Sequence, residues 1–175
     1  MKALIVVDMI HDFVDGKFGS DGAKAIVPNI KKLIEWAHEK KIPVIYLKDS
    51  HTEEDIELKV WGPHAMEGEE GSEIIPELAP DRGDIVIPKH TYSGFYRTHL
   101  ESMLKELEVR EVILTGVSTN ICVQHTAADA FFRGFSVTVV SDGTASIDPQ
   151  THEQALQYMK NIYGAHIAKT EELVG

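Results

Sequence analysis

The stretch Ala3-Leu4-Ile5-Val6-Val7 is a short, unbroken run of aliphatic residues that ends abruptly at Asp8. Comparable runs recur along the chain at 43–47, 85–87, 111–115, 136–140 and 165–168. Such runs are typical of strands that are covered on both faces, because a strand with one solvated face alternates apolar and polar residues. The runs therefore predict about six buried strands.

Amphipathic segments separate these runs. They lie at 28–40, 97–107, 119–133 and 149–163. The first carries Ile30 and Leu33 at helical spacing, and Asp148-Pro149 is suited to begin the last. The alternation predicts right-handed crossovers and an α/β fold. We expect a three-layer, doubly wound sandwich with a mostly parallel, about six-stranded central sheet, forming a single domain over residues 1–175.

Composition narrows the class of partner. The chain has 17 Lys and Arg against 28 Asp and Glu, a formal net charge of −11, and no dense basic tract, so no nucleic-acid partner is expected. The single cysteine excludes an internal disulfide and suits a reducing, cytoplasmic location. The first apolar run is too short for a membrane span or a signal peptide, so we expect neither. Composition leaves homo-oligomerisation open.

Reactive side chains follow four of the predicted strands. Asp8 ends the first strand and Asp49 follows the second. Lys89 follows the third strand, and Cys122 lies just beyond the fourth. The carboxyl ends of parallel strands share one edge of the sheet, where open α/β sheets bind their ligands. We therefore expect these side chains to meet at one site.

Cys122 stands at the predicted start of a helix. There the helix dipole would lower the pKa of its thiol, and free backbone N–H groups would receive an oxyanion. Asp8 would accept the thiol proton, and Lys89 would lower the thiol pKa and keep Asp8 ionised. His125, three residues further along the same helix, is an alternative base. Taken singly, a buried structural cysteine, a turn aspartate and a surface lysine are the ordinary roles of these residue types.

A second group lies in the long segment 49–72, which is rich in Glu, Gly and Pro. Asp49 and His51 offer a carboxylate and an imidazole to one cation, and His64 would complete the set. Imidazole with carboxylate predicts a divalent metal, with zinc expected and iron or manganese as alternatives. A solvated polar loop is the other interpretation of the same residues.

Six motifs occur in order over nearly the whole chain. They are Asp8-Met9-Ile10-His11-Asp12-Phe13, Asp49-Ser50-His51, Lys89 with Tyr92-Ser93-Gly94-Phe95, Gly116-Val117-Ser118-Thr119-Asn120-Ile121-Cys122-Val123, Thr126-Ala127-Ala128-Asp129-Ala130 and Ser141-Asp142-Gly143-Thr144-Ala145-Ser146. In this combination the chain resembles the isochorismatase-like cysteine hydrolases, and within them the metal-dependent nicotinamidases, also known as pyrazinamidases.

The resemblance implies a role for each of these residues. It implies that the catalytic residues are Asp8, Lys89 and Cys122. The implied oxyanion hole consists of the N–H groups of Ser118 and Cys122, with a cis peptide at Val117–Ser118. The implied metal ligands are Asp49, His51 and His64, with Glu57 as a fourth candidate. The implied pocket for a flat ring is formed by Phe13, Trp61, Tyr92 and Phe95.

The resemblance also implies an activity. The small-molecule substrate would be nicotinamide, hydrolysed to nicotinate and ammonia through a Cys122 thioester in NAD salvage, with the metal on the pyridine nitrogen. The segment 52–60 is shorter than in many nicotinamidases, and Gly62 stands where some have Pro, which leaves the ring specificity open. Hydrolysis of another small amide, attack by a metal-activated water and a non-catalytic small-molecule-binding module are the alternatives.

Overall fold

The computed structural model describes residues 1–175, and its centre is one sheet of six parallel strands. The strands are β1 (Lys2–Val7), β2 (Val44–Asp49), β3 (Ile85–Lys89), β4 (Glu111–Val117), β5 (Ser136–Ala145) and β6 (His166–Ala168). They lie across the sheet in the order β3-β2-β1-β4-β5-β6. The predicted α/β class and six-stranded sheet are confirmed, and the sheet is parallel throughout rather than mostly parallel.

Eight α-helices connect or flank the strands. They are α1 (His11–Val14), α2 (Asp21–Ala25), α3 (Val27–Glu39), α4 (Leu58–Trp61), α5 (Leu100–Glu106), α6 (Gln124–Phe132), α7 (Pro149–Tyr163) and α8 (Thr170–Val174). The four predicted helices correspond to α3, α5, α6 and α7. The other four have only four or five residues each, too few to show a helical period in the sequence.

The two faces of the sheet bury separate cores. In β1, Ile5 and Val7 pack into one core and Leu4 and Val6 into the other, because successive side chains of a strand point to opposite faces. Residues of α5, α6 and α7 complete the first core, and residues of α3 complete the second. The sheet is therefore the middle of three layers, which explains why the first strand is aliphatic without interruption.

Gly116 allows β4 to approach β1 at the edge where the reactive residues lie. Its φ is +102°, and a Cβ at this position would lie 2.0 Å from the carbonyl oxygen of Val7. A side chain would therefore force the two strands apart directly before Asp8. At the same place the strand order changes direction, with β2 and β3 on one side of β1 and β4 on the other. Ligands of open α/β sheets bind at such switch points.

Two polar segments have more regular structure than the sequence predicts. The segment 49–72 contains α4 and a short 3₁₀ helix at Glu70–Ser72. Strand β5 continues to Ala145 rather than ending at 140, because Thr144 and Ala145 pair with the end of β4. The residues around Thr144 are polar, as is typical of a loop, and only their pairing with β4 includes them in the sheet.

None of the helices has both the length and the hydropathy that a membrane crossing requires.

Candidate active site

Asp8, Lys89 and Cys122 meet at the carboxyl edge of the sheet, as their positions at or just beyond the ends of β1, β3 and β4 predict. All three are buried, with Asp8 and Lys89 at 0% exposure. Lys89 Nζ lies 2.9 Å from Asp8 Oδ2 and 3.5 Å from Cys122 Sγ. Asp8 has a φ of +52°, a left-handed conformation that costs energy for a side chain other than glycine and is enriched at functional sites.

Asp49 joins this trio to a second group of residues. Its Oδ1 accepts a hydrogen bond from Lys89 Nζ at 2.6 Å, and its backbone N–H donates to Asp8 Oδ1 at 2.8 Å. Its other oxygen, Oδ2, faces His51 Nε2 at 3.4 Å. One carboxylate is therefore shared between the lysine of the trio and the group that contains the histidines.

Burial is the largest influence on the pKa values of the trio. It raises the pKa of Cys122 well above its usual value, and the lowering by Lys89 is opposed by Asp8 and Asp49. Burial and Asp49 likewise raise the pKa of Asp8 to about 7 against the lowering by Lys89. Burial alone would lower the pKa of Lys89, but Asp49 and Asp8 hold it well above its usual value. Lys89 is therefore the cation of the site.

The predicted lowering of the Cys122 pKa is wrong in sign. The expectation considered the helix start and Lys89, but not the loss of water around a buried sulfur between two carboxylates. A raised pKa favours the thiol form of Cys122, which would need a base to become a thiolate. The same burial also means that Lys89 does not keep Asp8 at the pKa of an ordinary aspartate, so Asp8 is suited to exchange a proton near neutral pH.

The turn that carries Cys122 is a π-helical turn, Thr119–Val123, rather than the first turn of an α-helix. It follows a cis peptide between Val117 and Ser118, which the family resemblance implies. The backbone N–H of Ser118 donates to no other group of the protein, whereas the Ser118 carbonyl accepts from Ile121 and Val123 at 3.0 and 3.2 Å. Ser118 thus presents a free donor beside the sulfur-bearing turn.

His125 lies outside the trio. Its side chain is exposed, its Nδ1 donates to the carbonyl of Ile121 at 2.7 Å, and its ring packs 5.3 Å from the ring of Tyr92. These contacts are those of a helix residue at the rim of the site. Asp8, by contrast, has a carboxylate oxygen within 4.8 Å of Cys122 Sγ.

The second group consists of Asp49, His51, Glu57 and His64, all buried, with one ligand atom of each within 4.8 Å of the others. Glu57 Oε2 lies 3.0 Å from His51 Nε2 and 3.1 Å from His64 Nε2. Three buried polar atoms of the group have no hydrogen-bond partner, namely Asp49 Oδ2, His51 Nε2 and Glu57 Oε1. Unpartnered atoms that converge on one point are the arrangement that a cation would satisfy.

The charge of this group also favours a cation. Burial alone would lower the pKa of His51, but the carboxylates of Asp49, Glu57 and Asp55 raise it to about 10. Burial would raise the pKa of Glu57, but His51 and His64 lower it to about 2. Without a metal, protonated His51 carries the positive charge that balances these carboxylates, and a divalent cation would take over that role on binding. Two imidazoles with two carboxylates fit zinc, iron or manganese.

One cavity of about 380 Å³ opens onto both groups. Of the predicted pocket residues, Phe13, Trp61 and Tyr92 line it, and Trp61 Nε1 donates to Tyr92 Oη at 3.1 Å across its mouth. Phe95 does not line it. This ring is 5% exposed and packs in the core against Phe135.

Other lining residues were not predicted as pocket residues. They are Phe18, Gly19, Ser20, Val117, Asn120, Ile121, Ala145, Ser146 and Ile147. Asn120 and Ile121 belong to the cysteine motif, so that motif could have indicated them. Phe18 carries no such signal, and it reaches the cavity only because α1 and α2 fold over the site, where its ring lies 5.9 Å from that of Trp61.

We expect Lys89→Met to destabilise the protein by about 3–5 kcal/mol, because it leaves the carboxylates of Asp8 and Asp49 buried without their cation. The measurement is urea unfolding in the presence of a chelator, so that no metal replaces the lost charge. Lys105→Met is the matched control, since Lys105 pairs with Glu101 at the surface and should leave the midpoint nearly unchanged. Equal midpoints for both variants would contradict the assignment of Lys89 as the cation of the buried site.

Comparison with known proteins assigns the family. The isochorismatase domain model matches residues 2–172. N-carbamoylsarcosine amidase from Thermoplasma acidophilum is 40% identical, with 99% of each chain covered and a TM-score of 0.94. Nicotinamidase PncA from Bacillus subtilis is 34% identical, with 96% of this chain and 99% of that chain covered and a TM-score of 0.91.

A third similar protein has been solved with a metal ion. The pyrazinamidase of Pyrococcus horikoshii in complex with zinc is 32% identical, with 96% of this chain and 98% of that chain covered and a TM-score of 0.88. The family match extends over almost the entire chain, and the trio that contains Cys122 lies at the edge of the shared sheet. The chain belongs to the isochorismatase-like cysteine hydrolase family.

Proposed function

We propose that the protein is an amidohydrolase that converts nicotinamide to nicotinate and ammonia through a thioester on Cys122. The observation that carries this proposal is the joining of two groups through Asp49. On one side of Asp49 lies a thiol with a base and a buried cation, and on the other side lies a ligand set for a divalent metal. Both groups face the same aromatic cavity.

The reaction begins with proton transfer from Cys122 to Asp8. The sulfur then attacks the carboxamide carbon, and the N–H groups of Ser118 and Cys122 donate to the oxygen that becomes negative. The C–N bond breaks as Asp8 returns the proton to the nitrogen, and ammonia leaves. Asp8 next takes a proton from water, whose oxygen attacks the thioester carbon. The C–S bond then breaks, the carboxylic acid is released, and Asp8 returns the proton to the sulfur of Cys122.

Lys89 supports these proton transfers without taking part in them. Its ammonium group stays charged between Asp8 and Asp49, and it offsets the negative charge that appears on the sulfur or on the carboxylate. Its third hydrogen bond, to the carbonyl of Thr91 at 2.9 Å, holds it in that position. A cation at this point reduces the cost of moving the proton in either direction.

Asp49, His51, Glu57 and His64 would hold the metal. When bound, the metal would supply a coordination position for a ring nitrogen of the substrate and so orient the carboxamide towards Cys122. Phe13, Trp61 and Tyr92 provide flat apolar walls on which a heteroaromatic ring packs. These features together favour an aromatic amide with a ring nitrogen.

The alternative is another small amide with the same trio, and the Thermoplasma acidophilum relative gives it a concrete form, an N-carbamoyl amino acid. Such a substrate carries a carboxylate. No lysine or arginine lines the cavity, whereas Asp49 and Glu57 do, so an anionic substrate would find no ionic partner among the lining residues. The carboxylates of Asp49 and Glu57 would balance the charge of a divalent metal, so the cavity wall offers no excess positive charge to a substrate carboxylate and favours the neutral carboxamide.

The test is ammonia release by zinc-, iron- or manganese-loaded protein from nicotinamide and from N-carbamoylsarcosine in parallel. We expect turnover of nicotinamide and little or none of the N-carbamoyl compound. Addition of a chelator should raise KM for nicotinamide more than it lowers kcat, because the metal would hold the ring of the substrate and not the bond that reacts.

Each contrary result has a distinct meaning. Turnover of N-carbamoylsarcosine alone would replace nicotinamide with the other small-amide substrate. Absence of turnover with either compound, together with no selective modification of Cys122 by a reactive aldehyde analogue, would favour a non-catalytic binding module on this fold.

A further inference from the structure

Asp55 lies behind the candidate metal ligands and has no role in the reaction described above. Its side chain is 13% exposed, and its carboxylate accepts four hydrogen bonds. Oδ2 accepts from His51 Nδ1 at 2.9 Å, from the Thr52 N–H at 3.1 Å and from His90 Nδ1 at 3.2 Å. Oδ1 accepts from Thr52 Oγ1 at 3.2 Å.

These contacts determine which nitrogen of His51 faces the ligand set. A carboxylate accepts hydrogen bonds but does not donate, so the Nδ1 of His51 must carry a proton. Nε2 is therefore the nitrogen that would offer a lone pair to a metal once its proton is displaced. It is the same nitrogen that is buried without a hydrogen-bond partner and lies 3.0 Å from Glu57 Oε2.

The ring of His64 has the same orientation of its two nitrogens, but a different acceptor sets it. Its Nδ1 donates to the carbonyl oxygen of Gly62 at 2.8 Å, which leaves Nε2 towards Glu57 at 3.1 Å. Both imidazoles thus have Nδ1 occupied from outside the cluster and Nε2 directed into it. For His64 the acceptor is a neutral carbonyl, whereas for His51 it is a carboxylate that also makes the ring a stronger electron donor.

We propose that Asp55 is a positioning residue that sets the ring orientation and tautomer of His51 and thereby the metal affinity of the cluster. The inference rests on the metal site of the proposed function and adds a residue that does not touch the metal. His51 and Asp55 are only four residues apart in one loop, so their hydrogen bond depends on the local conformation of that loop.

The first measurement is made on the wild-type protein by nitrogen-15 NMR of the histidine rings after zinc loading. We expect His51 to show a proton on Nδ1 and zinc on Nε2. A His51 ring that carries its proton on Nε2, or that coordinates zinc through Nδ1, would overturn the proposal. This reading needs no variant and is insensitive to folding defects.

The second measurement is zinc affinity by competition with a chromophoric chelator. Asp55→Ala should weaken zinc binding by about 10–100-fold, the usual effect of removing a partner of a metal-bound histidine. Asp55→Asn retains an oxygen acceptor of the same shape and should recover part of the loss. His90→Gln is the matched control, since it removes another donor to the same Asp55 oxygen and should bind zinc as the wild type does.

The outcomes separate this inference from the proposed function. Wild-type affinity in Asp55→Ala, in a variant whose thermal unfolding is also normal, would overturn the positioning role and leave the metal site in place. Failure of the wild-type protein to bind zinc, iron or manganese would overturn the metal site and, with it, the role of Asp55. An equal loss in His90→Gln would overturn it too, because the loss would then come from the loop and not from His51.

Discussion

Cys122→Ala is expected to lower kcat for the amide by roughly 10⁴-fold or more, since removal of a covalent nucleophile abolishes the reaction path itself. The thiol is 6% exposed and lies at the floor of the cavity beside Lys89, and no other thiol is present in the chain. The variant should bind zinc with wild-type affinity, because the sulfur is not among the four residues of the metal group. Ammonia release under saturating substrate is the measurement.

Cys122→Ser is the control for shape, since it retains the size of the side chain and replaces the sulfur with a much weaker nucleophile. Near wild-type turnover in either correctly folded, metal-loaded variant would contradict the thioester mechanism. It would favour the rival in which the metal activates a water that attacks the carbonyl directly. Mass spectrometry of wild-type protein quenched during turnover should in addition detect the acyl group on Cys122.

Asp8→Asn is expected to lower kcat by about 10²–10⁴-fold, the range for removal of a general acid–base group. Because burial raises the pKa of Cys122 well above its usual value, the sulfur does not ionise by itself, and an amide cannot accept its proton. The same variant should therefore also slow alkylation of Cys122 by iodoacetamide. That second readout reports on the thiol alone, without the later steps of the reaction.

Asp15→Asn provides the comparison for Asp8→Asn. Asp15 is an exposed aspartate a few residues away that pairs with His11, and its replacement should change neither kcat nor the alkylation rate. Unchanged alkylation of Cys122 in Asp8→Asn would contradict the role of Asp8 as the base. Loss of activity in His125→Ala of the same size as in Asp8→Asn would transfer that role to His125.

Much of the fold could be predicted because burial leaves a direct trace in the sequence. A strand covered on both faces has mostly apolar side chains, and β1 shows this over its whole buried length. The position of the site was predictable for a related reason. A polar residue directly after such a run must lie at the end of the strand, and in a parallel sheet all such ends share one edge.

Local spacing also indicated the candidate metal group. Asp49 and His51 lie on either side of Ser50 at the end of β2, and His64 follows in the same long segment, whereas only the family resemblance indicated Glu57. These residues converge when the loop folds back on itself. A cation shared by the histidines and carboxylates of the loop would stabilise that conformation. The same spacing contains Asp55, but nothing in the sequence distinguishes it from the neighbouring acidic residues Glu53 and Glu54.

Residue type alone did not predict which aromatic residues line the cavity and which pack in the hydrophobic core. Phe95 and Tyr92 occur in one short motif, yet Tyr92 lines the cavity and Phe95 packs against Phe135. Phe18, outside any motif, completes the wall. Whether an aromatic ring faces a cavity or a core depends on how helices and loops cross above the sheet, and this crossing has no local pattern.

The sequence by itself predicted where the buried strands lie along the chain and at which edge of the sheet the site lies. It also indicated Asp8, Lys89 and Cys122 as residues of that site. Only the tertiary structure decided how these groups ionise. The pKa of Cys122 depends on its burial and on charges at positions 8, 49 and 89, which come within a few ångströms only after the strands pair. Desolvation and Coulomb energies depend on these three-dimensional distances, so a helix start that suggests a thiolate in the sequence holds a thiol in the folded protein.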